Sequence, residues 1–324
     1  MALKVFITGA SSGLGQALAQ VYARQGATLG LVARRLPSLQ ALTHSLPGKH
    51  RIHAVDVTDG DALRSAAVAH MHADDCPDIV IANAGVSAGT LGGEKEDLTV
   101  FEQIVRTNLI AVAATFQPFI ASMKARRRGT LVAIASVAGV RGIPGAGAYS
   151  ASKAGVISYC ESLRLELAPY GIKVVTIAPG WVDTPMTRTN PYRMPFMISA
   201  KEFARRAVRE IGRGSSYAVI PWQMAIVARV LRVLPNPVYD ALFARLPRKP
   251  RKLAPPPAPV VRELDDSPNG PPTFSQQTLD FGIDVAADRR ANKADVVAGM
   301  APDDMPQGIT VWRGRAHWPD QKPK

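Results

Sequence analysis

Two patterns alternate along the first 220 residues. Short, β-branched and largely apolar runs occupy 5–8, 28–33, 51–55, 78–82, 130–136 and 173–178. Runs of that length, bounded by turn residues, read as buried strands. Helix-length segments lie between them at 14–24, 37–45, 60–71, 100–124 and 149–168. Regular strand–helix alternation predicts an α/β fold: a doubly wound parallel sheet of about seven strands, the seventh at 217–220, with helices on both faces. No internal repeat is visible.

The pattern changes twice further on. Residues 221–252 form an amphipathic extension. From 253 onward aliphatic periodicity fades, and 11 of the chain's 26 prolines fall there, starting with the run at 254–259. That composition predicts a disordered tail over 253–324. Trp312 and Trp318 offer a short docking motif as the alternative. The expected organisation is therefore an α/β domain over 1–220, a basic extension over 221–252 and the tail.

Charge alters this picture more than composition does. The chain has 324 residues and a formal net charge of +13. The stretch 201–252 holds 12 basic and 3 acidic side chains, and so carries nine of the thirteen net charges. An anionic partner is the natural inference, but a nucleic-acid partner is not expected, because no recognition motif or interleaved aromatics accompany the charge. Only Cys76 and Cys160 occur. They rule out a disulfide scaffold and a four-cysteine zinc site, no metal is expected, and a reducing, cytoplasmic compartment follows. The N-terminus lacks a signal-peptide pattern. No run of about 18 apolar residues is present, since the nearest candidate, 217–234, is broken by Pro221, Gln223, Arg229 and Arg232.

The chemistry sits in ordered motifs. Thr8-Gly9-Ala10-Ser11-Ser12-Gly13-Leu14-Gly15 follows the first strand and opens a helix. Glycines there permit a tight turn and close backbone approach, and the helix N-terminus offers free N–H groups to a pyrophosphate. An NAD site usually has a carboxylate at the end of the second strand to hold the ribose 2′-OH. This chain has Arg34 and Arg35 instead. Guanidiniums suit a 2′-phosphate, so NADP(H) is favoured over NAD(H). Tyr149 and Lys153 are four residues apart on one helix face. An adjacent ammonium stabilises a phenolate, which makes the tyrosine a usable general acid/base. Ser136 ends the preceding strand at the edge where such sheets place their sites.

Together these residues resemble the short-chain dehydrogenase/reductase family, in its compact single-domain, Rossmann-like branch, from about Lys4 to Pro185. The glycine loop matches the family's cofactor loop. Asp56-Val57 resembles its adenine contact, and Asn83-Ala84-Gly85 its strand-4 motif. Asn108, Ser136, Tyr149 and Lys153 match its catalytic tetrad, and Pro179-Gly180-Trp181-Val182-Asp183-Thr184 its nicotinamide segment, with Pro179, Gly180, Val182 and Thr184 as contacts. The resemblance implies that Tyr149 exchanges a proton with the substrate oxygen. Lys153 would lower the Tyr149 pKa and bind the nicotinamide ribose, Ser136 would orient the oxygen, and Asn108 would hold a water in a proton relay. It implies a carbonyl or alcohol substrate and a homodimer or homotetramer. Residues 186–200 fall where the family has its lid; Pro, Met and Phe there fit either a cover for an apolar or lipid-like substrate or an ordinary variable loop.

Two alternatives remain. A nucleotide-sugar epimerase or dehydratase also uses Tyr-x3-Lys, but carries a different glycine spacing and a sugar domain. A non-catalytic cofactor-binding regulator would not need Asn108, Ser136, Tyr149 and Lys153 intact. The segment 222–252 combines an amphipathic helix, 222–234, with Trp222 and the cluster Arg248-Lys249-Pro250-Arg251-Lys252. It fits peripheral contact with a membrane surface, a cover over the substrate pocket, or a subunit neighbour.

Overall fold

The computed structural model describes residues 2–191 and 193–251. The expected tail at 253–324, with Trp312 and Trp318, lies outside the described residues. The chain runs β1 (Lys4–Thr8), α1 (Gly13–Arg24), β2 (Thr28–Ala33), α2 (Leu36–Ser45), β3 (Arg51–Ala54), α3 (Gly60–Asp74) and β4 (Ile79–Ala82). It continues through α4 (Asp97–Val105), α5 (Ala111–Arg126), β5 (Gly129–Ile134), α6 (Gly147–Leu167), β6 (Ile172–Pro179), β7 (Val182–Asp183) and β8 (Ile198–Ser199). The last elements are α7 (Ala200–Arg213), β9 (Tyr217–Ile220), α8 (Gln223–Val233) and α9 (Asn236–Phe243).

Seven strands form one parallel sheet in the order β3-β2-β1-β4-β5-β6-β9. The chain moves outward from β1 to β3, then returns to place β4 on the other side of β1. That reversal opens a crevice beyond the C-terminal ends of β1 and β4, where sheets of this kind bind ligands. Successive residues of β1 serve opposite cores. Val5 and Ile7 pack with Leu18, Leu29, Leu39 and Phe203 on one face. Phe6 packs with Leu63, Phe116, Phe119 and Met123 on the other. Burial on both faces is why the inner strands β1, β2, β4, β5 and β6 read as largely apolar runs rather than as alternations, while the edge strands β3 and β9 are more exposed.

Two elements differ from the sequence expectation. The helix expected over 100–124 begins at Asp97, and a π-helical turn, Arg106–Ile110, divides it into α4 and α5. The whole run Asp97–Arg126 is long and apolar enough, by length and composition, to cross a membrane. Its Phe116, Phe119 and Met123 are instead fully buried in the second core. The second difference is α7, which the sequence reading left inside a basic segment. Its Phe203, Ala204, Ala207 and Ile211 are buried at helical spacing, with Ala207 and Ile211 four and eight positions beyond Phe203. The Ser199 hydroxyl caps it by accepting from the Glu202 N–H at 3.2 Å, and Gly214 ends it in the left-handed region at φ 73°. Lys201, Arg205, Arg206, Arg209 and Arg213 belong to this helix, where Glu202 accepts from Arg205 and Arg206 and Glu210 accepts from Arg213. Five of the twelve basic residues are thus helix-surface charges.

His70 on α3 is 1% exposed, 5.2 Å from the Phe6 ring and 5.6 Å from that of His53. Burial and the neighbouring His53 lower its pKa from 6.5 to about 4. A histidine held neutral in this way supports the fold above pH 6.5, and that support fades as pH falls toward 4. Acidification from pH 7 to 4.5 is expected to cost the wild type about 2 kcal/mol more than His70→Met, read from urea unfolding midpoints at both pH values. Equal losses in the two proteins would remove His70 from the account.

Candidate active site

The crevice is a cleft of about 630 Å³. Its walls carry Gly9, Ser11, Ser12, Gly13 and Leu14 from the first loop, and Arg34 and Arg35 from the end of β2. Asp56, Val57, Asn83, Ala84 and Gly85 follow along the floor, then Ser136, Tyr149 and Lys153, and finally Pro179, Gly180, Val182 and Thr184. The sequence-predicted residues Thr8, Gly15 and Asn108 are not on its surface; they lie immediately behind it.

Thr8 and Asn83 lock the loop to the sheet. The Thr8 hydroxyl accepts from the N–H of Asn83 at 3.1 Å and of Ala84 at 3.3 Å. In return the Asn83 amide donates to the carbonyls of Thr8 at 2.9 Å and Gly9 at 3.2 Å. Gly15 sits against this joint, where a Cβ would fall 2.3 Å from the Gly9 oxygen and 2.5 Å from Asn83 Nδ2. Helix α1 starts at Gly13 with no side-chain cap and no acidic residue in its first turn. Its first N–H groups and positive dipole end are therefore left for an anion.

The two arginines are exposed at the cleft rim. Arg34 Nη1 is 3.6 Å from Asp56 Oδ2, and Arg35 Nη2 donates to Ser11 Oγ at 3.5 Å. Asp56 also accepts from the Thr58 N–H and hydroxyl, and this turn shapes the edge beside Val57. Glycine loop, helix N-terminus and cleft size fit a dinucleotide.

At the other end, Lys153 is 4% exposed and donates to the Ile134 carbonyl at 2.7 Å. Burial lowers its pKa from 10.5 to about 8. Its Nζ is 5.9 Å from the centre of the half-buried Tyr149 ring. Ser136 is buried where β5 ends, and its hydroxyl accepts from the Ala138 N–H at 3.1 Å. Asn108, in the π-helical turn, is fully buried. Its Oδ1 accepts from the Val86 N–H at 2.8 Å, and its Nδ2 donates to the Val86 carbonyl at 2.9 Å and to Ser152 Oγ at 3.1 Å. Ser152 then donates to the Tyr149 carbonyl at 2.8 Å. Asn108 thus ties the loop after β4 to the helix that carries Tyr149.

Ser152 escaped the sequence reading, and Thr187 entered it only as part of the 186–200 lid. The Thr187 hydroxyl donates to the Val182 carbonyl at 2.6 Å and accepts from the Thr184 N–H at 3.0 Å, which folds the segment over the cleft. The Thr-x-x-Thr spacing at 184 and 187 was the available signal.

A family model described as short chain dehydrogenase matches residues 3–194. The chain belongs to the short-chain dehydrogenase/reductase family. As a member it is an NAD(P)-dependent oxidoreductase acting on a small molecule. An uncharacterized oxidoreductase of Myxococcus xanthus is 40% identical over 243 residues, covering 74% of this chain and 96% of the relative. A 3-oxoacyl-(acyl-carrier-protein) reductase of Thermotoga maritima is 34% identical over 190 residues, 57% of this chain and 76% of the relative. Among solved structures, levodione reductase aligns with a TM-score of 0.63 at 26% identity, over 69% of this chain and 98% of that one.

The fit at Gly15 yields a direct test. A Cβ here must displace the Gly9 carbonyl or Asn83, on which the loop rests, so Gly15→Ala is expected to weaken dinucleotide binding about tenfold or more in a fluorescence titration. Unchanged affinity would show that the loop does not need this contact.

Proposed function

We propose that the protein is an NADP(H)-dependent oxidoreductase that interconverts a carbonyl compound and its secondary alcohol. The observation that carries the reading is that Ser136, Tyr149 and Lys153 line the same cleft as the glycine loop and Arg34–Arg35. The cofactor, when bound, supplies or takes the hydride. In reduction the Tyr149 hydroxyl gives its proton to the substrate oxygen; in oxidation its phenolate takes the hydroxyl proton. The Lys153 ammonium favours that phenolate by charge, and its hydrogen bond to Ile134 holds it in place. Lys153 also binds the nicotinamide ribose. Ser136 orients the substrate oxygen with its hydroxyl. Asn108 holds a water in a proton relay, while its side-chain amide keeps the Val86 loop and the Tyr149 helix in register.

Arg34 and Arg35 hold the 2′-phosphate that distinguishes NADP(H) from NAD(H). Thr8, Gly9, Ser11, Ser12, Gly13, Leu14 and Gly15 form or support the pyrophosphate loop, and Asp56 with Val57 borders the adenine. The relative from Thermotoga maritima, named as a reductase of 3-oxoacyl groups, supports a carbonyl substrate. Exposed Phe196 and Met197, at 51% and 48%, support an apolar one. Exposed Leu98, Phe101 and Ile110, together with Leu165 on α6, support self-association into a homodimer or homotetramer.

Two measurements test this. A panel of ketones with NADPH is expected to reveal turnover that Tyr149→Phe lowers by about 10²–10⁴ in kcat while NADPH still binds; full activity in that variant would end the acid/base role. Arg34→Ala with Arg35→Ala is expected to cost at least about tenfold in kcat/KM for NADPH and little for NADH. A wild type that uses NADH equally well would overturn the cofactor assignment.

A further inference from the structure

Helix α8 is amphipathic in an unusual direction. Its inner face is small: Met224 and Ala228 are buried at 4% and 6% exposed, with Met224 beside Gly180 of the cleft wall. Its apolar outer face is turned to solvent. Trp222 just before the helix and Ile226, Val230 and Val233 within it are 63%, 56%, 52% and 80% exposed. They sit at intervals of four, four and three, a single helical stripe. Helix α9 extends the feature with Val238 and Leu242 at 47% and 61% exposed. Isolated exposed apolar residues are ordinary, but Trp222 and five more on two consecutive short helices form a patch that marks an interaction site.

The patch is fixed in place before any partner arrives. The Arg141 guanidinium donates to the carbonyls of Leu231 and Leu234, at 2.5 and 2.6 Å, and to Asn236 Oδ1 at 2.8 Å. It also lies 3.9 Å over the Tyr239 ring, and the Tyr239 hydroxyl donates to the Gly142 carbonyl. Both helices are thereby pinned to the loop that leads into α6.

Charge decides between occupants. Arg229, Arg232, Arg245 and Arg248 belong to the same stretch of chain, Arg232 donating to the Val140 carbonyl at 3.2 Å, and Asp240 is the one acidic residue between 222 and 251. None of these four arginines has a carboxylate partner among the described residues. A second copy meeting this patch through its own equivalent would bring like charges together. A bilayer with anionic headgroups offers the complement, with hydrocarbon for the tryptophan and aliphatic side chains and phosphates for the guanidiniums. We propose that α8 and α9 form a preformed docking face that seats the protein on an anionic lipid surface.

The test is co-sedimentation of the full chain with vesicles of phosphatidylcholine alone and of phosphatidylcholine mixed with phosphatidylglycerol, with sedimentation velocity in parallel. Binding is expected to the mixed vesicles and to weaken as salt is raised. Trp222→Glu combined with Val230→Glu and Val233→Glu should lower that binding about tenfold or more while leaving reductase turnover and thermal midpoint unchanged. Arg229→Gln with Arg245→Gln and Arg248→Gln should abolish the preference for anionic lipid. These positions are exposed and outside the cleft, so loss of folding is a separate and visible result. If the glutamate variant binds mixed vesicles like the wild type, the proposal fails. It fails equally if the wild type ignores both vesicles, or if the variant's main effect is to dissociate an oligomer.

Discussion

The joint between the ends of β1 and β4 is the constraint on which the site depends. Neighbouring parallel strands are held by backbone ladders only as far as the ladders run, and at a topological reversal they end where the site begins. Beyond that point Thr8 and Asn83 take over with reciprocal hydrogen bonds, to N–H groups in one direction and carbonyls in the other. The exchange satisfies backbone groups that would otherwise be buried unpaired. It also fixes the path of the glycine loop relative to the floor of the cleft. Neither side chain is asked to touch a substrate; the pair sets the frame in which other groups can.

A second tie does the same work at the reacting end. The π-helical turn at Arg106–Ile110 breaks the ordinary helix ladder, and such turns often occur at functional sites. Here it carries Asn108 to the Val86 backbone and to Ser152. The chain of bonds from Val86 through Asn108 and Ser152 reaches the Tyr149 carbonyl. The loop after β4 and the first turn of α6 are therefore positioned as one object. Lys153 is anchored independently, by a backbone carbonyl of β5. The carbonyl acceptor does not titrate, but the bond is strongest while Lys153 is an ammonium, because a charged donor strengthens it.

Much of this was legible in the sequence, for reasons particular elements show. The inner strands of the sheet are read easily because both faces are buried, which leaves runs such as Val5–Phe6–Ile7 with no polar interruption. The glycine loop and the Tyr149–Lys153 pair are local in sequence, so their spacing carries their geometry. What escaped was non-local or masked by charge. Helix α7 was hidden because its five basic residues dominate its composition, while its buried face is narrow and partly alanine. Ser152 becomes informative only when Asn108, 44 residues earlier, is known to lie against it. The apolar side of α8 was visible as a stripe, but only the packing of Met224 against the cleft wall shows that the stripe faces outward.

The Arg141 contacts carry a consequence for how the C-terminal segment can be studied. One side chain closes the carbonyl end of α8, opens α9 and stacks on Tyr239, all from the loop that leads into α6. Cutting the chain after β9 would remove these acceptors together, strip Met224 from Gly180 and leave the Gly142 carbonyl without its donor. The shortened protein would then differ from the parent in the architecture of its cleft as well as in its outer surface. What looks like an appendage in the linear sequence is, mechanically, a brace.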